Sequence, residues 1–164
     1  MKNALKCITL VFVLTFISCK KPLDYYNKAV YSGNMAISLQ EMESRIERIQ
    51  AGFEPEPIDL VSRIDMRLEY NQNYLDELKE FLGNEETDPM INSAISYLEY
   101  DIESVKKPET VELLNAIDKK LTPTELEEVL TKHEDHLDAL YNDKAELWEA
   151  YDAELTKYAK ANDI

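Results

Sequence analysis

Residues 122–160 read TPTELEEVLTKHEDHLDALYNDKAELWEAYDAELTKYAK. Thr122 followed by Glu125 has the spacing of a capping box, in which the threonine oxygen accepts from the third backbone N–H and the glutamate reaches back to the cap. Pro123 falls at the first helical position, where its missing N–H costs nothing. Leu126, Leu130, His133, Leu137, Leu140, Tyr141, Trp148, Tyr151, Leu155 and Tyr158 then recur at steps of three and four, the period of one helical face. The spacing predicts a single helix to about Lys160, on the order of 55 Å long at 1.5 Å per residue. Glu125, Glu127 and Glu128 suit the positive end of its dipole. One apolar stripe of that length has to be covered, and the rest of the chain has the periodicity to cover it.

Upstream, Leu23, Tyr26, Val30, Ile37, Met42, Ile46 and Ile49 keep the three/four rhythm with one phase shift near Gly33 and Asn34. They predict a first long helix ending near Gly52. Gly33 in its middle disfavours helix by about 1 kcal/mol relative to alanine, so close packing is expected there. Phe53-Glu54-Pro55-Glu56-Pro57 is a turn by composition. Val61, Ile64, Leu68, Asn71, Leu75, Leu78 and Leu82 form a heptad-like, coiled-coil seam interrupted only by Asn71, and Gly83 ends it. Asp88-Pro89 offers a cap and a first-turn proline, after which Ile91, Ala94, Leu98, Ile102 and Val105 continue. Pro108 predicts a kink or break, with a shorter helix over about 109–120. Four long segments joined by short connections, with no strand signal, predict an all-α, up-down-up-down four-helix bundle whose third helix is kinked or broken at Pro108.

The first nineteen residues, MKNALKCITLVFVLTFISC, have a different character. Lys2 and Lys6 precede an apolar run from Cys7 to Ile17, and small Ser18 stands before Cys19, the layout of a signal peptide. About 11 apolar residues fall short of the ~20 a spanning helix needs. Phe16-Ile17-Ser18-Cys19 resembles a bacterial lipobox. The resemblance implies a thioether-linked diacylglycerol on Cys19, removal of residues 1–18 and frequent acylation, for instance by palmitate, of the new amino group. Expected divisions are a lipoprotein signal peptide at 1–18, the lipidated cysteine with a short tether at 19–22, and a bundle domain at 23–164. Two or three acyl chains would hold such a protein durably on a membrane. The helical part is also similar to small, uncharacterised four-helical surface lipoproteins of didermic bacteria, through Asp24-Tyr25-Tyr26-Asn27 and the ending from Tyr151 to Lys160. That similarity implies an envelope location, expected at the outer membrane, with the periplasmic or surface side left open by Lys20-Lys21.

Composition limits the function. With 18 Lys+Arg against 33 Asp+Glu the formal charge is −15, and loss of Lys2 and Lys6 takes it to −17. Such a surface repels phosphate backbones, which excludes nucleic acid as a partner. Once Cys7 leaves with the signal and Cys19 is acylated, no pair remains for a disulfide. Di-iron bundles need Glu-x-x-His on two helices, and the residues three before His133 and His136 are Leu130 and His133. The two histidines are at most weak candidates for one divalent ion, and no cofactor is expected. No nucleophile-base pair or phosphate-cradling glycine motif occurs. Paired carboxylates such as Glu127-Glu128 read as solvated faces. An enzyme is therefore not expected. Tyr70 with Tyr74, and Tyr97 with Tyr100, stand at helical spacing on successive helices and offer a candidate aromatic patch for an envelope protein partner. The sequence thus favours a membrane-anchored, non-catalytic interaction or structural module. Its alternative is a ligand- or metal-binding protein using the bundle interior around Asn71 and His133.

Overall fold

The computed structural model describes residues 21–53 and 59–164, and the fold among them is all-helical. The helices are α1 (Pro22–Met35), α2 (Ser38–Gln50), α3 (Leu60–Lys79), α4 (Asp88–Ser104), α5 (Pro108–Ile117), α6 (Pro123–Lys132) and α7 (Glu134–Asn162). Local chemistry explains several of their starts. The Thr122 hydroxyl accepts from Glu125 N while the Glu125 carboxylate accepts from Thr122 N, the expected capping box. Asp59 caps α3 by accepting from Ser62 N. Pro108 opens α5 at its first position, so the helical run that begins at Asp88 breaks there.

The residues bury two apolar clusters. One gathers Ala29 and Ala36 from the first limb, Leu75 and Leu78 of α3, Met90 to Ile102 of α4, and Tyr151, Leu155 and Tyr158 of α7. The other gathers Leu39 to Ile49 of α2, Leu60 and Ile64 of α3, Val105, Leu113 to Ile117 of α5, Leu126 of α6, and Leu137 and Leu140 of α7. Leu68 packs against both. Followed along the chain, α1–α2 runs from the first cluster to the second, α3 returns, α4–α5 goes out again, and α6–α7 comes back. The Tyr158 hydroxyl donates to Pro22 O at 3.3 Å, which ties the end of α7 to the start of α1.

Three sequence expectations need correction. The single helix expected from 22 to Gly52 is two helices, interrupted at Ala36 and Ile37. The helix expected from 122 to 160 is interrupted at His133, whose backbone (φ −111°, ψ 13°) leaves the helical region. The resulting α7 is still about 44 Å long. Asp88 is not the cap of α4, because Thr87 stands there and the Asp88 carboxylate accepts instead from Gly83 N and Asn84 N, closing the preceding turn. Close packing at Gly33 is present: a Cβ built there would stand 2.7 Å from the Tyr151 hydroxyl. That hydroxyl donates to Ala29 O at 3.0 Å, which fixes the ring against α1.

Candidate functional site

The interruption between α1 and α2 lies inside the molecule, where orphaned backbone groups need partners. They come from three distant helices. Asp101 of α4, fully buried, accepts from Ser38 N at 3.1 Å and Leu39 N at 3.4 Å, so it caps α2 from outside the helix. Lys144 of α7 donates to Ala36 O at 3.0 Å and to Asp101 Oδ1 at 3.1 Å. Asn71 of α3 donates to Met35 O at 3.0 Å. The asparagine that interrupts the α3 seam therefore satisfies the end of α1. Asp101 and Lys144 carry this junction, and periodicity marks neither of them.

Two open grooves flank the first limb. The larger, about 460 Å³, runs between α2 and the α6–α7 limb. Its floor is Ile46, Leu130, Leu137 and Tyr141, and its walls carry Glu43, Glu47, Glu127, Glu134 and Asp138. No lysine or arginine among the described residues lines it. Among the described residues, none of the five carboxylates forms an ion pair, while Lys28–Glu77, Arg67–Glu41 and Lys132–Glu112 are paired elsewhere. Burial pushes the Tyr141 phenol up to about 12, with Glu43 and Glu47 adding to the shift, so the negative field reaches the floor. The second groove, about 420 Å³, shares Glu43 and Tyr141 with the first and extends it past Gln40 to Lys144 and Trp148. Trp148, the chain's single tryptophan, is 46% exposed and packs edge-on against Tyr97, whose ring stacks on Tyr151 at 5.3 Å.

The sequence candidates are distributed as follows. Cys19 and the signal segment lie outside the described residues, as do residues 54–57 of the proline-rich turn. Tyr70 is 63% exposed, whereas Tyr74 is half-buried, donates to Lys28 O at 2.7 Å and packs against Tyr31. Tyr97 is 6% exposed and faces α7, and Tyr100 donates to Leu140 O at 3.1 Å. The four tyrosines therefore do not form one patch, because Tyr74, Tyr97 and Tyr100 turn to three different packing partners. His133 is buried at the α6/α7 interruption, and the His136 ring nitrogen lies 2.8 Å from the Thr110 hydroxyl. Burial holds the His136 imidazole below its ordinary range. Among the described residues no group of three or more His, Cys, Asp or Glu is arranged to hold a metal ion, and no helix is long and apolar enough to cross a membrane.

The wall carboxylates were open to sequence reasoning in part. Glu43, Glu47 and Gln50 stand at i, i+4 and i+7, and Glu127, Thr131, Glu134 and Asp138 repeat at threes and fours. What periodicity lacks is that these two polar edges face each other. Compared with known proteins, the chain matches no family model, no curated protein and no solved structure.

Proposed function

We propose that this protein is a lipid-anchored module of the bacterial cell envelope, at the outer membrane, that acts by docking a partner and catalyses nothing. The observation that carries this reading is the apolar run Cys7–Ile17 ending at Cys19, three residues before α1 begins at Pro22. Acylation of Cys19 would set the start of α1 at the membrane surface. The first limb then leads away from it: α1 alone rises about 20 Å, which puts α2 and the large groove toward the distal end. The alternating passage of the four limbs through two clusters supports an up-down-up-down four-helix bundle, formed by α1–α2, α3, α4–α5 and α6–α7. A stiff bundle held at one end and grooved at the other suits recognition. The alternative of a ligand held in the interior has less support, because neither Asn71, whose Nδ2 donates to Met35 O, nor His133 lines either groove.

Mass spectrometry of the N-terminal peptide from the native membrane fraction tests the anchor. A peptide beginning at Cys19 and carrying diacylglyceryl and acyl mass is expected, with Cys19→Ala giving unprocessed or released protein. Membrane-associated protein with an unmodified Cys19 would refute it.

A further inference from the structure

The groove between α2 and the α6–α7 limb has the form of a missing helix. Its α2 wall presents Glu43, Ile46, Glu47 and Gln50 at i, i+3, i+4 and i+7, and the opposite wall repeats the same steps from Glu127 to Tyr141. Two helical edges with a shared apolar floor are what an amphipathic helix lies between when it docks by its i, i+3, i+4 and i+7 positions. Charge then selects the occupant. Among the described residues, the five carboxylates on the two walls form no ion pair and no cation lines the groove. An acidic or neutral helix laid there would leave those carboxylates partly desolvated and unpaired, which disfavours it. A second copy of this chain is disfavoured on the same ground, since each brings a net charge of −15.

Resting on the docking reading above, we propose that the groove receives an amphipathic helix of a partner protein with an apolar stripe flanked on both sides by lysine or arginine. The stripe covers Ile46, Leu130 and Leu137, and the flanking cations meet Glu43 and Glu47 on one wall and Glu134 and Asp138 on the other. The α2 wall from Gln40 to Gln50 spans on the order of 15 Å, so about three turns of partner helix make the contact. The end of that helix reaches the extension of the groove, where Lys144 disfavours a further cation and an apolar residue would meet the Trp148 ring.

Trp148 makes this measurable in the full chain, because the single tryptophan lines the extension that the end of the partner helix enters. The probe is a 15-residue leucine/lysine peptide with leucines at helical spacing and no aromatic residue, titrated into the detergent-solubilised protein. Saturable change in Trp148 emission is expected, weakened by added salt. The double variant E47K/E134K should weaken the peptide by about tenfold or more, since it reverses charge on both walls. E69K/E80K makes the same change in net charge at exposed positions outside the groove, and should alter the affinity by less than about threefold. Neutralising Glu43→Gln with Asp138→Asn gives a milder loss and guards against a folding defect, which far-UV circular dichroism would reveal. Equal weakening by the two lysine pairs, or equal binding by a lysine/serine peptide of the same charge and no apolar stripe, overturns the proposal. Trp148 changes with a leucine/glutamate peptide but not the lysine one would reject the basic partner and leave groove docking standing. No change with any peptide would reject both, independently of the state of Cys19.

Discussion

Replacing Asp101 should damage the fold more than any other single polar substitution in the described residues. Asp101→Ala removes one member of a buried ion pair and the acceptor of two backbone N–H groups at once. Asp101 is fully buried and the Lys144 side chain only 16% exposed, so water cannot replace what is lost. Breaking such a pair from one side costs about 3–5 kcal/mol, because a charge remains buried without its partner. The lost α2 cap is contained in that figure and is worth about 1 kcal/mol of it. For a domain of this size the melting temperature should fall on the order of 10 °C. Lys144→Met is milder, about 2–3 kcal/mol, since Asp101 keeps its two N–H donors. The double variant leaves no unpaired charge and should fall short of the sum by at least about 1 kcal/mol. Urea denaturation followed by circular dichroism and by Trp148 emission measures all three. A loss below about 1 kcal/mol for Asp101→Ala, or strict additivity in the cycle, would show that the junction does not hold α1 and α2 in place.

Gly33→Ala would ordinarily strengthen a helix, but its Cβ meets the Tyr151 ring; a net loss of about 1–3 kcal/mol is expected, partly relieved in combination with Tyr151→Phe, and a stabilised single variant would contradict the close approach. Burial pushes the phenols of Tyr97 and Tyr141 up to about 12 from an unfolded value near 10, so the native state holds its protons longer. The stability this gives is complete below pH 10 and is lost as the pH rises to 12, and tyrosinate absorbance should rise together with loss of helix in that window. His136, depressed by burial, contributes in the opposite direction: its stability is present above about pH 6.5 and is lost as the pH falls through the lower folded value, so an NMR titration of its ring protons with a midpoint above 6.5 would contradict the packing against Thr110.

Features encoded within one turn of helix were legible from sequence. The Thr122/Glu125 box, the first-turn prolines at 89 and 123, and the break at Pro108 all depend on neighbours within four residues. The break at Ala36–Ile37 was not legible, because its caps stand on α3, α4 and α7. Its one trace in the sequence is the phase shift at Gly33 and Asn34. The tyrosines failed as a patch for the same reason: spacing places Tyr97 and Tyr100 on a face of α4 without saying that α7 covers it. The acidic groove was half legible, since both edges show helical spacing and only the fold sets them opposite each other.

The capping of α2 by Asp101, and of the end of α1 by Lys144, has a consequence for the order in which the chain can fold. Lys144 follows its acceptor Ala36 by 108 residues, so the bend between α1 and α2 is not complete until α7 has packed. Until α4 is in place Ser38 N has only water, and Ala36 O lacks its side-chain donor until α7 packs. Contacts of such long sequence separation delay the native state. The angle between α1 and α2 is thus a late property of the fold, set by side chains that stand 36 to 108 residues further along the chain.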